Sequence, residues 1–194
     1  MNFQRYAHGL SHLLVDYDWA LVEALSEKLF ACWQSGRQVF LCGNGGSAGN
    51  AVHLANDFLY GISYSVSQSG MRVEALSANT AVLTCLANDV GYDQVFAEQL
   101  RAKGDRDDLL IVLSGSGNSE NIVEALKVAN ELKLDTCAIL GFSGGRCLEL
   151  VDIAIHFPVD DMQMAEDLQL IVGHMCMQDL SRRALEVEND SISA

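Results

Sequence analysis

The sequence predicts an α/β protein of the doubly wound kind. The expected architecture is a three-layer sandwich on a five-stranded, mostly parallel sheet, with N-terminal helices and a long C-terminal helix. Three observations predict it. Short apolar runs alternate with segments of helical period along most of the 194 residues. The stretches between runs are long enough for the crossovers that parallel strands need. Two of the runs end in glycine–serine turns from which a helix starts at once, the usual layout where a strand hands over to a crossover helix.

Residues 3–35 place Phe3, Tyr6, Leu10, Leu13 and Leu14, then Leu21, Leu25, Leu29 and Phe30, at helical spacing, giving two helices that end near Gly36. Gly36 suits the position just past a helix, where a left-handed residue is wanted. Strands are expected at "QVFLC" (38–42), "RVEAL" (72–76), "LLIVL" (109–113), "TCAIL" (136–140) and "IAIHF" (153–157). Helices are expected over about 47–60, 80–102, 119–132 and 161–187. One domain of residues 1–194 follows, with helices over 1–36, an α/β core over 37–187 and, within "EVENDSISA", a disordered tail over 188–194. The segment "GISYSVSQSGM" reads either as a mobile serine-rich loop that closes over a ligand or simply as a surface loop.

The bulk properties exclude several functions. A net charge of −14 repels nucleic acid and anionic membranes, and no Lys/Arg cluster opposes it. No apolar run reaches the roughly 18 residues of a membrane span, and the N-terminus lacks a signal pattern, so a cytosolic protein is expected. Six cysteines (32, 42, 85, 137, 147 and 176) are scattered without a CxxC pair, most in apolar segments, as buried thiols are.

The two turns carry the chemistry. "CGNGGSAGNAVHLAND" follows the first strand and "SGSGNSENIVEAL" the third. A helix start offers free N–H groups and the positive end of its dipole, glycine lets the backbone approach, and serine adds a donor without bulk. Ser114, Ser116 and Ser119 therefore suit a phosphate, with Ser47 and Asn44 facing the same crevice; the rival reading is that Ser119 merely caps its helix. Gly43 to Ala48 also fits GxGxxA, but no acidic residue ends the second strand at the required spacing, and no nucleotide cofactor is expected.

"GNGGS", "SGSGNS" and a histidine-bearing long C-terminal helix resemble the SIS (sugar isomerase) domain family, over nearly the whole chain to about residue 185. Order and spacing are most similar to its phosphoheptose isomerase branch. The resemblance implies a phosphate turn at Ser114, Gly115, Ser116 and Ser119, and a substrate loop at Asn44, Gly45, Gly46 and Ser47. It implies sugar contacts from Asn88 and Asp89 in "LTCLANDVGYDQVF", a pair that otherwise reads as a simple turn between helices. It also implies a homotetramer in which histidine and substrate turn come from different subunits. The implied reaction converts sedoheptulose 7-phosphate to the aldoheptose 7-phosphate, towards nucleotide-activated heptose for surface polysaccharide. A non-catalytic member binding a sugar phosphate or a replication initiator, and an isomerase of another ketose phosphate, are the alternatives.

Aldose–ketose isomerisation needs a base beside carbon and an acid or electrophile beside oxygen. His53 and Asp57, at i and i+4, point the same way from one helix; Glu166, Asp167 and His174 lie on the last, His174 amid apolar neighbours. The resemblance makes His174 and Asp57 catalytic, makes His53 a metal-site histidine, and puts Glu166 where a glutamine is usual. His53, Asp57, Glu166 and His174 form a zinc set by ligand type. Glu166 lies about 80° around the helix from His174 and Asp167 about 20°, so Asp167 is its rival for facing the site. Asp57 is one methylene shorter than the family's glutamate, and "YGIS" replaces a glycine–arginine pair, removing a positive charge near substrate.

Overall fold

A computed structural model of the chain describes residues 3–64, 66–67 and 69–193, with side chains as far as 190. Five strands, β1 (Val39–Gly43), β2 (Val73–Ala75), β3 (Leu109–Ser114), β4 (Asp135–Leu140) and β5 (Ile153–His156), form a single sheet in the order β2-β1-β3-β4-β5. Every neighbouring pair is parallel. The expectation of a mostly parallel sheet becomes a wholly parallel one.

The sheet is covered on both sides, so its strands are apolar on both faces. Val39, Leu41, Leu109, Ile111 and Leu113 point into one layer, packed under α2 (Ala20–Ser35), α3 (Gly46–Leu59) and α7 (Met162–Ser193). Phe40, Cys42, Leu110 and Val112 point into the other, under α5 (Ala97–Lys103) and α6 (Glu120–Leu132). Gly36 closes α2 at φ 67°, as its position predicts. Five of the six thiols are buried; Cys85 is exposed, on a helix that buries nothing. Burial pushes the thiols of Cys32 and Cys147 up to about 11 and that of Cys176 to about 12.

Two expected elements differ. The helix foreseen over 80–102 is two, α4 (Thr80–Asp89) and α5, joined by a 3-10 turn at Tyr92–Gln94. The break falls at Gly91, whose φ of 118° no helix accommodates, and α4 starts where the Asn79 side chain accepts from the N–H groups of Ala81 and Val82. At the other end, α7 continues to Ser193, through the segment expected to be a tail. Glu186 there accepts from Arg182 one turn earlier at 2.6 Å, an i,i+4 pair that favours helix. The first helix, α1 (Phe3–Val15), buries no residue; Tyr6 ties it down by donating to the Asp167 carboxylate of α7 at 2.6 Å. Desolvation and that carboxylate push the Tyr6 phenol up to about 12.

The feature that positions the site is the pairing of α3 with α7, which run side by side in the same direction. Gly46 faces Glu166, Asn50 faces Glu166 and Gln169, Leu54 faces Gly173, and Gly61 faces Met177. Glycines on both partners permit the approach: a Cβ at Gly173 would collide with Leu54, and one at Gly61 would lie 2.9 Å from Met177 Cε. The register is pinned by Asn50, whose Nδ2 donates to the Glu166 carbonyl at 2.9 Å and to Gln169 Oε1 at 3.0 Å.

A methyl group at Gly173 therefore has to push the helices apart. Gly173→Ala is expected to lower stability by about 1–3 kcal/mol, the usual cost of overpacking, despite the better helix propensity of alanine. Denaturant unfolding measures this; a variant as stable as the parent would show that the contact yields freely.

Candidate active site

Both glycine–serine turns lie at the C-terminal end of the sheet, one after β1 and the other after β3. These are adjacent strands paired Gly43 to Leu113. The chain leaves β1 towards β2 on one side and returns to β3 on the other, so the two turns flank the topological switch point where such sheets bind ligands. Together they line a cavity of about 240 Å³. Asn44, Gly45, Gly46 and Ser47 come from the first turn, Ser114, Gly115, Ser116 and Ser119 from the second, and Met162 and Glu166 from α7. All eight expected turn residues meet there, and no lysine or arginine lines the cavity among the described residues.

Local detail explains how the turns hold their shape. Gly45 precedes α3 at φ 57°, a conformation that favours glycine. Gly117 sits at φ 64° against the Gly144 carbonyl, where a Cβ would collide with backbone. Ser114 Oγ accepts from the Gly117 N–H at 3.1 Å and Ser116 Oγ from the Asn118 N–H at 3.3 Å. Ser119 stands at the N-cap of α6 yet makes no side-chain capping bond, which counters the plain capping reading and leaves its hydroxyl to the cavity.

Asn44 is fixed by two residues that the sequence reading passed over. It exchanges amide hydrogen bonds with Asn121, Nδ2 to Oδ1 at 2.9 and 2.8 Å, and its Oδ1 accepts from the Tyr92 hydroxyl at 2.9 Å. Asn121 is buried, so its amide needs these bonds. A polar residue in the first turn of α6 on its inward face was the available signal.

About 10 Å further along α3 from Gly46, at 1.5 Å rise per residue, the same helix pair brings a second group together. His53 Nε2 lies 2.9 Å from His174 Nε2, and the Asp57 carboxylate is 3.4 Å from each. The imidazoles are open, 48% and 45% exposed, whereas the carboxylate behind them is 16% exposed. The apolar setting expected for His174 is thus only its helix neighbours; the ring itself faces outward. With two ring nitrogens this close, one carries the proton and the other accepts it, or both lone pairs turn to a cation. Two nitrogens and a carboxylate oxygen within 4.8 Å of one another are donors that suit zinc.

Glu166 does not join that group. One helix turn before Gln169, it lies over Gly46, where a Cβ would collide with its carboxyl group, and it walls the cavity between the two turns instead. The geometric cause is the rotation between residues 166 and 174 on α7. Asp167, the alternative, is held by Tyr6 and faces α1. Asn88 and Asp89 also stay apart from the cavity within one chain: both are exposed at the end of α4 and bond each other at 2.7 Å.

Residues 2–141 match the SIS domain family model. A phosphoheptose isomerase of Chlorobaculum parvum is 35% identical over 174 residues, covering 89% of this chain and 83% of its own length. One of Aliarcobacter butzleri is 40% identical over 145 residues, covering 75% and 76%. The structure of a phosphoheptose isomerase from Francisella tularensis superposes with a TM-score of 0.86 at 25% identity, over 92% of this chain and 96% of that one. Fold and comparisons define a SIS-domain protein. The chain belongs to the SIS domain family, in its phosphoheptose isomerase branch.

Asn121→Ala is expected to cost about 1–3 kcal/mol, since it leaves the Asn44 amide without its buried partner, and to weaken phosphate-ester binding by freeing the first turn. Chemical unfolding with parallel ligand titration checks both; unchanged values in each would show that the amide pair positions nothing.

Proposed function

We propose that the chain is an aldose–ketose isomerase converting sedoheptulose 7-phosphate to D-glycero-D-manno-heptose 7-phosphate, a precursor of nucleotide-activated heptose. One juxtaposition carries the reading. The cavity between the two turns is walled on one side by α3 and α7, and the same two helices carry the His53–Asp57–His174 group, with the carboxylate 3.4 Å from both rings. A non-catalytic phosphate binder needs the first and has no use for the second.

In this mechanism the uncharged donors of the two turns, the Ser116 and Ser119 hydroxyls and the free N–H groups that start α3 and α6, hold the ester phosphate and fix the far end of the sugar. The Asp57 carboxylate takes the proton from C1 of the ketose and returns it at C2. The His174 imidazole moves the accompanying proton between O2 and O1, so that an enediol forms and collapses with no net gain or loss of protons. His53, in hydrogen-bond contact with His174, sets which nitrogen of that ring is protonated. A zinc ion would be held by His53, Asp57 and His174 and, when bound, polarises the substrate carbonyl.

Exposed Leu59, Tyr60 and Tyr64 lie just beyond Asp57, and neither α1 nor α4 buries a residue of its own. These faces support a homotetramer in which a neighbouring copy covers them and brings Asn88 and Asp89 to the sugar. Six unpaired thiols support a reducing, cytoplasmic setting.

Turnover of sedoheptulose 7-phosphate, followed by NMR, is expected for the wild type and is expected to vanish in His174→Ala and Asp57→Asn. Asp57→Glu should keep or raise kcat, because the longer side chain recovers about 1 Å of reach, a displacement worth up to about 100-fold. His174→Ala or Asp57→Asn protein that turns over as the parent does would refute these roles; a wild type silent on every ketose phosphate yet binding them would leave a binding protein. Metal analysis of untagged protein from zinc-replete medium should find zinc, which Asp57→Asn and His53→Ala lose; none in the parent would remove the metal.

A further inference from the structure

The cradle contains its own anion. Its walls otherwise offer glycines, serine hydroxyls, an asparagine and a methionine, yet the Glu166 carboxyl group lies against Cα of Gly46 at the first residue of α3. The first turn of α3 carries no acidic residue of its own, so Glu166 supplies from α7 the negative charge that such a helix end favours. At the other helix, the first-turn acid Glu120 is neutralised by Arg146 at 2.8 Å. Among the described residues no donor or cation pairs with the Glu166 carboxylate; Asn50 holds only its main-chain carbonyl. The carboxylate therefore occupies the field of α3 without being locked there, on an unbranched side chain free to turn away.

We propose that Glu166 is a resident counter-anion that makes the cradle discriminate against free phosphate. An entering phosphate meets a like charge in a cavity of about 240 Å³ without a compensating lysine or arginine, so it binds only by turning Glu166 off the helix end. A sugar ester gains further contacts along the carbohydrate that offset this cost; inorganic phosphate gains none. Glu166 is thus a specificity-determining residue, and the usual glutamine at this place lacks the effect because it has no charge. The proposal rests on the phosphate cradle of the function proposed above, and on neither the histidines nor turnover.

The test is calorimetric titration of wild type, Glu166→Gln and Glu166→Ala with inorganic phosphate and, separately, with sedoheptulose 7-phosphate. Thermal unfolding shows that each variant is folded. Glu166→Gln, close in shape and uncharged, is expected to bind inorganic phosphate at least about tenfold tighter than the wild type, as removal of one nearby like charge implies. Its preference for the sugar ester over inorganic phosphate should fall correspondingly, and Glu166→Ala should follow it. Equal or weaker phosphate binding by both variants overturns the proposal, as does tight binding of inorganic phosphate by the wild type. The isomerase reading fails on a different result, absence of turnover by a wild type that binds the sugar ester.

Discussion

The close parallel contact of α3 and α7 is the constraint from which the rest follows. Sheet and loops deliver two glycine–serine turns to one edge, but the helix pair decides what surrounds them. Gly46, Gly61 and Gly173 remove the side chains that would keep the helices apart, and Glu166, Met177 and Leu54 fill the space left. Asn50 then locks the register with two hydrogen bonds to α7. Given that register, His53 and His174 can only meet, with Asp57 one turn on beneath both. A single packing contact thus builds one wall of the cavity between the turns at one end and the His53–Asp57–His174 group at the other.

Electrostatically the design is economical in cations. The chain carries −14 overall and places no lysine or arginine in the cavity wall among its described residues. In the proposed function, attraction for a dianion comes from helix ends and hydroxyls at short range, where dipoles are effective, while the distant field is repulsive. Recognition is therefore local and geometric, and small rearrangements such as the placement of Glu166 weigh heavily. A basic pocket would bind any phosphate; this one depends on fit.

Much of this was legible in the sequence, for definable reasons. Strands buried on both faces show as continuous apolar runs, and glycine–serine turns at their ends are chemically distinctive, so β1, β3 and Asn44, Ser47, Ser114, Ser116 and Ser119 could be placed from pattern, while the resemblance added Gly45, Gly46 and Gly115. The pairing of His53 with Asp57 followed from helical period. What failed depended on information between elements. Whether Glu166 or Asp167 faces the site turns on which side of α7 meets α3 and which meets α1, and neither period nor composition encodes that. The break at Gly91 follows Asn88 and Asp89, poor helix formers whose plain reading is a turn between two helices. Asn50 and Asn121 were passed over because an asparagine in a helix looks ordinary until its buried partner is known. Asn88 and Asp89 end a helix that packs Leu83, Leu86 and Ala87 against the core, and both stay exposed, away from the cavity.

The helix contact itself is tested most directly by a double-mutant cycle at Leu54 and Gly173, reading stability and sedoheptulose 7-phosphate turnover together. If the two helices owe their spacing to this contact, shortening Leu54 to alanine makes room for the methyl of Gly173→Ala. The double variant should then be more stable and more active than the sum of the single losses allows. Strictly additive losses would mean that the two positions do not meet, and that something other than this contact brings His53 to His174.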